Sequence, residues 1–386
     1  MADEEHLTNS YKEISFQAPW GVIAAKAWGP ENGKPFLGLH GWLDNANTFD
    51  KIARLLPENI RFVAMDFPGH GLSSHRWPGM PYLKEISFQA PWGVIAAKAW
   101  GPENGKPFLG LHGWLDNANT FDKIARLLPE NIRFVAMDFP GHGLSSHRWP
   151  GMPYLHFEYV ADVKKVVFQL GWEKFSIISH SMGAFVASLY AGTFPNEVEN
   201  LVLIEYGGYP VRSAEKPDFW LARYAAGMAN MNPRLPRVYE SVEAAAARRE
   251  EPYNGNTLRK DDALLITKRG STVTKDGVIF SHDPTLKENH FPFLPPRLSL
   301  NLILSKIKGA VLILEGSDSQ DLLEIGHESR LERLSIICQH AKFKMWKTLL
   351  GGHHVHLDNP EQTAQQIKQF LALCESQDRD LHTSKL

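Results

Sequence analysis

Cysteine is nearly missing from this chain: only two, Cys338 and Cys374, occur in 386 residues. That excludes a disulfide framework as the source of stability. Long apolar runs are missing too, so no segment reads as a bilayer span. No Asn-x-Ser/Thr acceptor for glycosylation occurs. The opening stretch MADEEHLTNSYK is acidic and has none of the apolar run of a secretory signal. Charge of one sign is also lacking, since 41 Lys and Arg meet 43 Asp and Glu for a formal net charge of −2. Neither nucleic acid nor an acidic membrane surface is therefore expected as a partner. Core material, by contrast, is plentiful: 43% of residues are apolar and 22% charged, a globular composition. These features predict a soluble intracellular protein.

The last three residues, Ser384, Lys385 and Leu386, form the Ser-Lys-Leu tripeptide read by the peroxisomal import receptor. The segment before them, residues 377–383, is polar, as an accessible tail should be. The expected location is the peroxisome, or the cytosol where the signal is not read.

Residues 12–83 recur without a change as residues 84–155. Each copy holds two strand-like runs around an Ala-Pro-Trp-Gly turn (Ile86–Ala90 and Val94–Trp100 in the second). A buried strand Pro107–His112, a helix Asn119–Leu128 and a strand Arg133–Asp138 follow. The unit ends before any nucleophile motif, so it is half a domain written twice and not a solenoid repeat. The second copy runs directly into the next helix, near Tyr159, and the next strand, near Lys174. Using the first copy instead would leave the second as a long loop, costing roughly 2 kcal/mol in closure entropy. The second copy is expected in the sheet. The first is expected as a surplus, poorly ordered segment with unpaired strands.

The motif that carries chemistry lies at 174–191. KFSIIS reads as a buried strand and AFVASLYA as a helix start, with His180-Ser181-Met182-Gly183 between them. This is the strand–nucleophile–helix bend Gly-x-Ser-x-Gly, with Ser179 in place of the first glycine. The bend demands small residues two before and two after the nucleophile, Ser181, and aims a helix N-terminus at a developing oxyanion. A second amide donor is expected from His112-Gly113-Trp114, which pairs the backbone N–H of Trp114 with that of Met182. His40-Gly41-Trp42 of the first copy offers the same chemistry. Asp138, in Asp-Phe-Pro-Gly-His-Gly, is expected to fix the glycine turn.

The general base is expected in Gly-Gly-His353-His354-Val-His356. His353 leads because it directly follows the glycines; His354 is second and His356 third. No carboxylate or thiol cluster stands at ligand spacing around these histidines, so neither metal nor cofactor is expected. The orienting acid should lie between serine and histidine in chain order. Asp318, ending GAVLILEGSD, is the first candidate, with Asp321 and with Glu205, at the end of LVLIE, as alternatives.

With HGWLDNANTFD, DFPGHGLSSH, SHSMG, LEGSD and GGHHVHLDNPE in this order, the chain resembles the α/β-hydrolase superfamily. The APWG…AAKAWG opening and the HGWLDN loop look like the serine hydrolase-like proteins, some of which are peroxisomal. The resemblance implies an eight-stranded, mostly parallel sheet flanked by helices, with a helical cap inserted before the acid strand. The core would then be residues 84–206 and 301–376, and the cap 207–300. In that cap, Trp220–Met228 and Val238–Arg249 read as helices and RGSTVTKDGVIFSHDPTLK as an irregular return.

The expected function is a serine hydrolase that cleaves a small carboxylic ester or thioester through an acyl-enzyme. Serine at the bend argues against the alkyl-enzyme chemistry of relatives that place Asp there. The alternative is a catalytically silent hydrolase fold that binds a ligand or partner.

Overall fold

A computed structural model describes residues 11–18, 21–41, 44–73, 83–208, 218, 221–222, 225–226, 236–251, 257–288, 297–319 and 327–383. Trp42, Asp321, Ser384, Lys385, Leu386 and most of Trp220–Met228 lie outside the described residues. The chain forms two compact units, Met1–Lys84 and Glu85–Leu386.

The first unit holds β1 (Lys12–Ala18), β2 (Gly21–Trp28), β3 (Lys34–Leu39) and β4 (Ile60–Met65) in one sheet of order β1-β2-β4-β3. Unpaired strands were expected for this copy, and that expectation is corrected. The same residues carry the same local pairing preferences in both copies: Ala25 faces Met65 and Lys34 faces Ile60, as Ala97 faces Met137 and Lys106 faces Ile132 in the second. A small apolar cluster of Trp28, Ala46, Ala53, Phe62 and Ala64 sits against this sheet.

The second unit is built on an eight-stranded sheet. Its strands are β5 (Lys84–Ala90), β6 (Gly93–Trp100), β7 (Lys106–Leu111), β8 (Ile132–Met137), β9 (Phe175–His180), β10 (Val198–Ile204), β13 (Ala310–Gly316) and β14 (Lys344–Leu349). Their order is β14-β13-β10-β9-β7-β8-β6-β5. Neighbours from β14 to β8 run parallel, and β6 meets β8 antiparallel. This is the mostly parallel sheet that the motif order implied. Strands β8, β9 and β13 are buried along their whole length, as covering both faces of a parallel sheet requires, and their near-continuous apolar sequences reflect it.

Helix α1 (His156–Leu170) joins β8 to β9 and stops at Gly171, whose φ of 68° caps it in the left-handed region. Helix α2 (Met182–Thr193) joins β9 to β10 and is buried on nearly every face. The chain moves from β7 outward to β8 and then back across β7 to β9. The strand order therefore reverses between β7 and β9, and the loops leaving those two strands part there to open a crevice.

Two expectations shift in detail. The segment Asn119–Leu128 is a 3-10 turn, Ala118–Phe121, followed by one short turn of α-helix, Asp122–Ala125; the Asn117 side chain caps its start. In the insertion between β10 and β13, helix α3 (Val242–Glu250) begins at the Ser241 cap, and α4 (Lys260–Arg269) was not singled out from sequence. The return expected to be irregular is instead a hairpin, β11 (Ser271–Thr274) with β12 (Gly277–Phe280). Its turn uses Gly277 at φ 133°, and alternation over only four residues a strand is too short to read. Arg269 ties the insertion to the sheet: its Nε donates to both carboxylate oxygens of the buried Asp138, at 3.1 and 2.9 Å.

The two copies differ in burial. Phe108, Leu109 and Leu111 on β7 are at most 3% exposed, whereas Phe36, Leu37 and Leu39 on β3 are 46, 61 and 52% exposed. β7 has β9 beside it, and β3 ends its sheet. An apolar edge of this kind is a template for pairing with another chain. Deleting residues 12–83 is expected to reduce concentration-dependent self-association in sedimentation velocity. Unchanged association after the deletion would contradict this.

Candidate active site

Ser181 follows the last residue of β9 and precedes the first of α2. Its backbone sits at φ 50°, ψ −116°, a region costly for any residue with a side chain and held here by its surroundings. The surroundings are specific. A Cβ on Gly183 would fall 2.2 Å from the Leu111 carbonyl oxygen and 2.5 Å from that of His112, so only glycine lets the helix start meet the end of β7. On the other side of the bend the Ser179 hydroxyl donates to the Val202 carbonyl at 2.8 Å. That bond to the neighbouring strand satisfies a buried hydroxyl where the motif usually has glycine.

His353 follows β14 across Gly351 and Gly352. Its Nε2 lies 3.0 Å from Ser181 Oγ. Its Nδ1 lies 3.2 Å from Glu205 Oε2. A carboxylate accepts, so Nδ1 carries the proton and Nε2 keeps the lone pair that faces the serine. Glu205 directly follows β10, at φ 56°, and is 3% exposed. Its carboxylate also accepts from the Gly316 N–H and the Ser319 hydroxyl, so a buried charge there is well solvated by protein donors.

Of the candidate acids, the structure places Glu205, expected as an alternative, and not Asp318 within hydrogen-bond reach of His353. Asp318 is exposed on the turn after β13, where its backbone N–H donates to the Gly351 carbonyl at 2.9 Å. β10 and β13 are adjacent and parallel, so the ends of both approach the same loop. Chain order does not separate them; the buried, left-handed residue after β10 is the one whose side chain meets His353. Among the other late histidines, His356 is fully buried with Nε2 2.7 Å from Thr120 Oγ1, and His354 caps the short helix α7 (Val355–Asp358, numbered after α5, Arg297–Leu304, and α6, His327–Ile337).

The loop expected to supply an oxyanion donor lies against the bend. A Cβ on Gly113 would stand 3.4 Å from Ser181 Cβ, which puts the residue before Trp114 against the bend. Met182 opens α2, so its N–H belongs to the first helical turn, where no intrahelical acceptor exists. His112 locks this loop. Its Nε2 accepts from Phe139 N–H at 2.9 Å, and its Nδ1 therefore donates to the Gly113 carbonyl at 2.7 Å. Asp138 holds the following glycine turn as expected, accepting from Ala118 N–H at 2.7 Å and Leu144 N–H at 2.8 Å.

Burial around the site favours neutral imidazoles. It pushes His112 and His356 down to about 3, and His142, His180 and His354 well below the usual histidine range. Burial also raises Asp116 to about 6, against the pull of Arg249.

The chain matches the family described as alpha/beta hydrolase fold over residues 106–248. A serine hydrolase-like protein of Danio rerio is 37% identical over 298 residues, covering 74% of this chain and 88% of that protein. Serine hydrolase-like protein 2 of Homo sapiens is 32% identical, covering 78% and 97%. Among solved structures, a hypothetical protein of Pseudomonas aeruginosa superposes with a TM-score of 0.65 at 31% identity, covering 76% of this chain and 99% of that one.

A depressed histidine makes the unfolded state the better proton binder between its folded and unfolded values. The stability it contributes is complete above about 6.5 and is lost as pH falls towards 3. His112 and His142, both fully buried, act in this sense, and Asp116 opposes them between about 6 and 3.8. The unfolding free energy is expected to fall by at least about 2 kcal/mol between pH 7 and pH 5. Urea titrations that are flat across this interval would show that these rings protonate in place.

Proposed function

The chain belongs to the serine hydrolase-like proteins of the alpha/beta hydrolase fold, and on that premise we propose that it cleaves a carboxylic ester or thioester through an acyl-enzyme on Ser181. The observation that carries this reading is the chain of contacts from Ser181 Oγ to His353 Nε2 at 3.0 Å and from His353 Nδ1 to the buried Glu205 at 3.2 Å.

In the first step Ser181 Oγ attacks the acyl carbonyl as its proton passes to His353 Nε2. Glu205 holds the ring in the tautomer able to accept that proton and stabilises the imidazolium that results. The N–H groups of Met182 and Trp114 take the negative charge on the carbonyl oxygen. His353 then protonates the leaving alkoxide or thiolate. Water, deprotonated by the same nitrogen, attacks the acyl-serine and releases the acid. The strained backbone of Ser181 supports this role, because it lifts the hydroxyl clear of the chain and into the crevice at the β7–β9 switch point.

A fluorophosphonate probe is expected to label the intact chain and to leave Ser181→Ala unlabelled. With p-nitrophenyl acetate, Glu205→Gln is expected to lower kcat by about 100- to 10,000-fold, because the amide no longer secures the reactive tautomer. Asp318→Asn is expected to stay near the parental rate. Labelling of Ser181→Ala would remove the nucleophile, and equal losses at 205 and 318 would remove the assignment of the acid.

A further inference from the structure

Behind the nucleophile, three side chains from three parts of the chain converge. Asp116 comes from the loop after β7, His180 is the last residue of β9, and His356 lies in α7. One potential ligand atom from each lies within 4.8 Å of the others. Their exposures are 4, 1 and 0%.

The hydrogen bonds define what His180 presents. Its Nε2 is 2.8 Å from the carbonyl oxygen of His353. A carbonyl only accepts, so Nε2 carries the proton, and on a neutral ring Nδ1 is left with a lone pair. That lone pair faces Asp116 Oδ2 at 4.0 Å. Neither atom has a hydrogen-bond partner among the described residues, and Nδ1 of His356 has none either. The other Asp116 oxygen is already used, accepting from Asn117 N–H at 2.7 Å. Two acceptors therefore confront each other in a buried site, an arrangement that is costly unless a donor or a cation lies between them.

We propose that Asp116, His180 and His356 form a binding site for a divalent transition-metal ion of the zinc class, distinct from the Ser181–His353–Glu205 constellation. Two imidazole nitrogens and one carboxylate oxygen are a zinc-type donor set, whereas calcium and magnesium prefer oxygen throughout. Zinc–ligand bonds of about 2.0–2.2 Å place tetrahedral ligands about 3.3 Å apart. Side-chain rotations that close the present spacing by about an ångström reach that geometry. The ion would act at one remove from the reaction. Bound to His180 Nδ1, it makes Nε2–H a stronger donor to the His353 carbonyl and so positions the loop that carries the base.

Spacing along the chain shows no sign of this site, because Asp116 and His180 lie some 240 and 176 positions before His356. The fold brings Asp116 and His180 to it.

The test uses the full chain, stripped by a chelator and titrated with Co2+. One ion per chain is expected, with the visible absorption of a tetrahedral cobalt centre and a raised melting temperature. Asp116→Asn and His356→Gln, checked for folding by circular dichroism, are each expected to weaken binding by more than about 100-fold, beyond the loss from altering a supporting group. Asp116→Asn should also melt no lower than the parent without metal, because its amide offers N–H to the His180 lone pair. A parent that takes up no cobalt, or uptake that both folded variants retain, would overturn the proposal. Because the readouts are spectroscopic and thermal, Ser181→Ala should bind cobalt as the parent does, whatever that variant does to esters.

Discussion

The close approach of α2 to the end of β7 is the constraint on which the site depends. Gly183 brings its backbone against the Leu111 and His112 carbonyls, in space that no side chain could share. That contact seats the first turn of α2 and leaves Ser181 at its costly backbone angles with nowhere to relax. It also sets the distance between the loops leaving β7 and β9, and hence between the serine and any amide donor after His112. His112, with both ring nitrogens engaged, keeps the first of these loops from moving away.

Glu205 extends the same arrangement across the sheet. It stands at the end of β10, next to β9, and accepts from Gly316 at the end of β13 as well as from Ser319 beyond it. His353 then reaches in from beyond β14. The ends of four neighbouring parallel strands thus share one hydrogen-bonded layer, and Ser181 and Glu205 sit directly at strand ends, which move less than loops. The insertion is joined to the sheet in part through Arg269 and Asp138, a buried ion pair that also supports the glycine turn after β8.

The duplicated half-domain separates local from global causes of structure. Identical residues form identical strand registers and the same His–Phe lock: His40 accepts from Phe67 N–H at 2.9 Å, as His112 does from Phe139. Burial is not identical, because β9, α1 and α2 exist once. Local pairing comes with the sequence of each copy. A packed core needs the elements that only one copy can reach without closing a long loop.

Much of the architecture was legible in the residues. Apolar runs marked β7, β8, β9 and β13; Ser181 was marked by its small neighbours, and His353 by the glycines before it. The hairpin in the insertion was not legible, since its strands are too short for a period to show.

The sequence by itself determined the local chemistry: the pairing of each copy, the strand–serine–helix bend and the glycine-led histidine. Only the tertiary structure shows which carboxylate lies against His353: Glu205 and Asp318 both follow buried strands, but Glu205 is buried beside the ring and Asp318 is exposed on its turn. The tertiary structure alone also gathered Asp116, His180 and His356 into one place. Such choices rest on distances between residues far apart in the chain, and spacing along a sequence carries no measure of those distances.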